Sequence, residues 1–221
     1  MTSLILFLAL QELLTPGELV LAEMARDTTP ALLKEAAEIY RYPASEAEKS
    51  ALFDAIGRAT KDQRIKVKVA ALLALAETGN PDAGALLEPH LREKNPSAEE
   101  KQVLLTAVDA VGRLKIGSLV PSLMQLAKSS KDLTVADQAL LALGKFHDTN
   151  SRERKALVEK VLALAKTLKR NRGRWRRLSA PALRCLQLLT GMRLSTVELF
   201  ADWWKVAKER KDPFTPSADG S

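Results

Sequence analysis

Residues 166–177 read KTLKRNRGRWRR, seven cations and one tryptophan with no acid among them. Lysine and arginine at this density make charge-assisted hydrogen bonds to phosphate oxygens, and an indole in their midst can stack on a base. Lys169, Arg170, Arg172, Arg174, Trp175, Arg176 and Arg177 are therefore the candidate contacts to an anion or a nucleic acid. The same charge would dock an acidic protein or an anionic membrane equally well, and a plain solvated loop accounts for it too. Lys166, Lys169 and Arg170 fall in the last turn of a predicted helix, where the helix dipole favours cations. Arg174, Arg176 and Arg177 open the next helix, where the dipole disfavours them. Residues 151–221 hold 17 basic and 7 acidic side chains, against 17 and 20 in residues 1–150. The excess behind the net charge of +7 thus lies wholly in the C-terminal third.

Little else has the residue types of a reaction centre. His90 and His147 are the only histidines, fall in different predicted repeats and lack a HExxH-type companion, so no metal site is expected. Cys185 is the only cysteine, which excludes an intrachain disulfide; within PALRCLQLL it reads as a small buried hydrophobe. There is no glycine-rich phosphate loop, nucleophile elbow or Cys–His pairing. Glu99 and Glu100 stand at a helix start, where the dipole alone explains them. No catalytic residue and no cofactor is expected. Trp203 and Trp204 are adjacent, so on a helix they point about 100° apart and cannot share one narrow stripe. Phe200, three and four positions earlier, neighbours both. This group reads as a plug over one end of the core, with a peptide contact for one indole as the alternative.

The elements that must position these residues are helices. Apolar residues make up 46% of the chain but aromatics only 5%, a composition of Ala, Leu and Val that excludes disorder and suits closely packed helices. Period-two alternation of β-branched residues is absent. Helix starts are marked by Thr15-Pro16-Gly17-Glu18, Thr29-Pro30 and Asn80-Pro81, and by capping-box spacings at Ser45…Glu48, Ser97…Glu100 and Ser195…Glu198. The pattern predicts helices over 17–27, 30–41, 46–60, 65–78, 81–94, 98–115, 118–129, 133–147, 151–169, 174–190 and 196–210. Short connections make neighbours antiparallel, and the expected pairs are 65–78 with 81–94, 98–115 with 118–129, and 133–147 with 151–169.

Three segments repeat one another: AALLALA at 70–76, TAVDAVG at 106–112 and QALLALG at 138–144. Ala76, Gly112 and Gly144 then align, 36 and 32 residues apart. The following helices agree as well, LVPSLMQLAK at 119–128 against LVEKVLALAK at 157–166. The pattern Ala-Leu-x-Ala-Leu-Gly, a polar turn, then Leu-Val-Pro-x-Leu resembles HEAT repeats, especially the short bacterial kind related to bilin-lyase HEAT-like units, over residues 65–169. A weaker echo, FDAIGR at 53–58, precedes it. The Leu-Thr-Gly then Asp-Trp-Trp-Lys arrangement from Leu189 to Lys205 is similar to a helical cap that follows such arrays.

The resemblance implies an all-α fold, a right-handed α-α superhelix or HEAT-like solenoid built of antiparallel helical hairpins. It implies a non-catalytic scaffold or adaptor whose concave face binds a protein or peptide partner. On the inner face of the second helices that would engage Arg92, Gln125, Lys128, Lys160 and Lys166. The alternative is a nucleic-acid-binding protein of the same fold, DNA-glycosylase-like or not, using the basic C-terminal third. A bilin-lyase role is a third option. The expected divisions are an N-terminal segment 1–14, the array 15–170, a basic tryptophan-containing cap 171–211 and a flexible tail 212–221. The apolar run 3–10 has the length of a signal-peptide core without its basic flank, and reads either as a degenerate export signal or as a packed helix. It is too short to span a bilayer, and membrane contact is expected nowhere else. A cytoplasmic monomer is the simplest expectation.

Overall fold

The computed structural model describes residues 14–42, 44–92 and 97–214. Eleven α-helices occur among them, with no strand. In chain order they are α1 (Pro16–Arg26), α2 (Pro30–Arg41), α3 (Glu46–Ala59), α4 (Ile65–Thr78), α5 (Gly84–Leu87), α6 (Ala98–Leu114), α7 (Val120–Ser129), α8 (Leu133–Gly144), α9 (Ser151–Lys169), α10 (Arg172–Thr190) and α11 (Val197–Ala207). The N-terminal apolar run and the last seven residues, 215–221, lie outside the described residues.

Most helix starts follow the cap residues. Thr15 and Ser97 form complete capping boxes with Glu18 and Glu100. Ser45 accepts from the Glu48 amide, but the Glu48 carboxylate turns away and accepts from Thr15 Oγ1 at 2.8 Å, tying α1 to α3. The box expected at Ser195 is displaced by one residue. Thr196 caps α11 through the Leu199 amide, and Glu198 pairs with Lys169. Gly79 and Gly191 end α4 and α10 in the left-handed region, at φ +72° and +73°, where a side chain would be strained.

The long helix expected over 81–94 is not one helix. A 3-10 turn at Pro81–Ala83, the four-residue α5 and a second 3-10 turn at Glu88–Leu91 replace it. Pro89 supplies no amide to the ladder and its ring crowds the preceding turn, so regular helix cannot run through.

Helices α2, α4, α6, α8 and α10 pack side by side in that order. Along their flank, α1 and α3 lie against α2, the Glu88–Leu91 turn against α6 and α7, α7 against α8 and α9, and α11 against α9 and α10. Among helices consecutive in the chain, α7 with α8 and α9 with α10 pack most extensively, one helix out of phase with the expected pairing. Connection length explains the shift. Only residues 130–132 join α7 to α8 and only residues 170–171 join α9 to α10, whereas 3-10 turns lengthen the links after α6 and α8. Helix α10, which the sequence places in the C-terminal cap, packs along α8 as α8 packs along α6.

The core is continuous from Val20 to Ala207. Ala74, Ala110 and Ala142 are buried at equivalent places on α4, α6 and α8, with Leu75, Val111 and Leu143 beside them at full burial. At the C-terminal end Phe200 is fully buried and Trp204 nearly so, while Trp203 is half-buried. Phe200 meets Trp203 edge-on with ring centroids 6.3 Å apart. Residues 212–214, expected to begin a frayed tail, are docked instead. Phe214 stacks on Trp204 at 6.0 Å, and the Arg154 guanidinium lies 3.8 Å from the Phe214 ring centre.

Candidate interaction site

Helices α7 and α9 bring three of the five predicted partner-binding residues to one place. Gln125, Lys128 and Lys160 line an open groove of about 440 Å³ between them. Its floor is apolar, made by Val120, Met124, Ala163 and Leu164. Gln125 and Lys128 lie on the same turn of α7, and both are exposed. The Gln125 amide donates to Ser129 Oγ at 3.2 Å. The two lysines carry no ion pair among the described residues, so the groove has an apolar base and an uncompensated positive rim.

Lys166 and Arg92 do not join it. Lys166 is exposed on α9 beside the groove-lining Thr167, but is not part of the lining. Arg92 follows the Glu88–Leu91 turn, and its Nη2 pairs with Glu88 Oε1 at 2.6 Å.

The basic segment divides into inward and outward residues. Arg174 is turned inward: Nη1 donates to Ser130 O at 2.7 Å and Nη2 to Ala127 O at 2.9 Å, so it closes the C-terminal end of α7. Burial lowers its pKa from the usual arginine value, and its Nε is buried without a hydrogen-bond partner. Lys169 pairs with Glu198 on α11 and stands 5.5 Å from the Trp175 ring centre. Trp175 is half-buried and packs against the core. All three thus have partners within the fold, while Lys169 remains exposed and Trp175 half-exposed. Arg170, Arg172, Arg176 and Arg177 are exposed and have no acidic partner among the described residues.

Arg174 was hidden in the sequence because its acceptors are backbone carbonyls about 45 residues away, and carbonyls carry no side-chain signal. The legible hint was physical: cations at a helix start need a reason, and a C-terminal carbonyl pair supplies one.

His90 is half-buried in the Glu88–Leu91 turn, where burial and the nearby Lys68 charge lower its pKa. His147 is exposed in the turn after α8. Among the described residues no group of three or more His, Cys, Asp or Glu side chains is placed to hold a metal ion. Cys185 is fully buried, and burial pushes its thiol pKa up. No described helix is long and apolar enough to cross a membrane.

No family model matches the chain, and no curated protein or solved structure does so either.

Proposed function

We propose that the chain is a non-catalytic scaffold with a right-handed α-α superhelix of the HEAT-like kind, and that it captures a partner protein through the groove between α7 and α9. The observation that carries this is the groove itself: an apolar floor of Val120, Met124, Ala163 and Leu164 under Lys128 and Lys160. A segment that fits presents an apolar ridge flanked by acidic side chains, the helix-in-groove mode of recognition. The side-by-side packing of α2, α4, α6, α8 and α10 supports the superhelical reading, because each of these helices buries its apolar face mainly against its neighbours.

The test is selection of peptides from a displayed library against the intact chain, followed by affinity measurement on the enriched sequences. Enrichment of amphipathic acidic peptides is expected. Their affinity should fall at least tenfold on combining Lys128→Glu with Lys160→Glu, with the melting temperature unchanged because both residues are exposed. Binding indifferent to that pair of changes would discard the groove.

A further inference from the structure

Of the seven cations in residues 166–177, two are consumed internally: Lys169 by Glu198, Arg174 by the carbonyls of Ala127 and Ser130. The remainder, Lys166, Arg170, Arg172, Arg176 and Arg177, are exposed without an acidic partner among the described residues. The inward bonds of Arg174 also have a spatial consequence. They pin the start of α10 to the turn between α7 and α8, and that turn carries exposed Lys131. The acid of the same turn, Asp132, is occupied by Lys101, Nζ to Oδ2 at 2.6 Å. Two adjacent turns therefore present cations whose nearby carboxylates are already committed.

We propose that this edge, formed by Lys131, Arg170, Arg172, Arg176 and Arg177, is a nucleic-acid-binding surface that contacts phosphates independently of sequence. Four of its five cations are arginines, whose planar forks suit phosphate oxygens. None of the large apolar side chains left exposed lies in either turn or in the first two turns of α10. An acidic protein would need an apolar centre to its interface, and stable membrane anchoring needs an apolar face beside the charge. A phosphodiester backbone needs neither. Gly173 lies between the arginines, and a Cβ there would meet only Asn171 Oδ1, at an ordinary contact distance of 3.7 Å, so the backbone is little shielded by side chains. The edge is separate from the α7–α9 groove lining, and the two readings stand or fall independently.

The experiment is fluorescence anisotropy of the intact chain with mixed-sequence duplex and single-stranded DNA, titrated from about 50 to 200 mM salt. Binding at low salt with a steep negative salt slope is expected. The R172E/R176E/R177E variant should weaken it at least tenfold and reduce the slope by about 2–3, at about 0.9 per lost phosphate contact. A second variant on other elements, K131E/R170E, should weaken it in the same direction, and K34E on α2 should leave it unchanged. Thermal melts show whether each variant is folded. Absence of binding at about 50 mM salt, or affinity unmoved by both variants, overturns the proposal. So does charge-dependent retention on phosphatidylserine vesicles that exceeds retention on DNA.

Discussion

Gly112 on α6 rests against Ala142 on α8 so closely that a Cβ at residue 112 would lie 2.9 Å from the Ala142 Cα and 3.1 Å from its carbonyl oxygen. The obstacle is backbone, which cannot rotate aside. Gly144, the equivalent position one repeat on, faces α10 instead, with Leu188 Cδ1 at 2.9 Å and Cys185 Cα at 3.4 Å. The glycines that mark the repeat in the sequence are thus the points where neighbouring helices touch.

Gly112→Ala should destabilise the fold by about 1–3 kcal/mol, the range for overpacking, even though alanine is the better helix former. Gly144→Ala should cost less, because the tip of Leu188 can swing away. Gly173→Ala, which meets only Asn171 Oδ1 at 3.7 Å, should stabilise by about 0.5–1 kcal/mol. Urea melts of the three variants order them; a Gly112 variant as stable as the parent would refute the close contact.

Replacing Arg174 tests the clasp between α10 and α7. Arg174→Met keeps the aliphatic stem but leaves Ala127 O and Ser130 O without the guanidinium, a loss of about 1.5–3 kcal/mol for hydrogen bonds to a charged group. Arg176→Met, on the exposed side of the same helix, should shift stability by less than about 0.5 kcal/mol. Equal effects from the two changes would show that Arg174 is no clasp.

Phe214→Ala removes the ring that lies between Arg154 and Trp204. The expected cost is about 1–3 kcal/mol, combining lost burial with the aromatic and cation–π contributions. Tryptophan emission should move to longer wavelength as water reaches Trp204. Ending the chain after Lys211 should do the same; an unchanged spectrum in both would mean that residues 212–214 do not cover the indole.

Acid should unfold the protein through its paired carboxylates. The Arg64 guanidinium, hydrogen-bonded to Asp62, holds that carboxyl down to about 2. The ammonium groups of Lys101 and Lys115 hold Asp132 and Asp148 below the usual carboxylate range. Below the ordinary value of 3.8 the unfolded chain takes up protons that the native chain still refuses, so this stabilisation is complete above that value and lost as pH falls toward about 2. His90 acts on a separate limb. Its pKa is lowered by burial, so from about 6.5 downward the unfolded state gains the proton first and stability declines. Denaturant melts from pH 7 to 2 should show both limbs. His90→Gln should flatten the upper one alone, and high salt should flatten the lower one because its pairs are exposed.

The sequence alone determined that the chain is helical and where most helices begin, because caps, prolines and apolar spacing act over a few residues. It also determined the buried Ala-Leu layers and the repeated glycines, since close packing restricts residue type at each such point. Tertiary structure decided what depends on distant partners. Arg174 and Arg176 are the same residue two positions apart, yet one clasps carbonyls of α7 and the other meets solvent. Glu198 has capping-box spacing but pairs with Lys169, and Phe214 has tail-like neighbours but stacks on Trp204. Burial, backbone acceptors and charge partners lie across the fold, so local pattern cannot rank one arginine above another. Only the reach of Arg174 from α10 to the end of α7, and of Lys169 from α9 to Glu198 on α11, separates the cations that hold the protein together from those left facing outward.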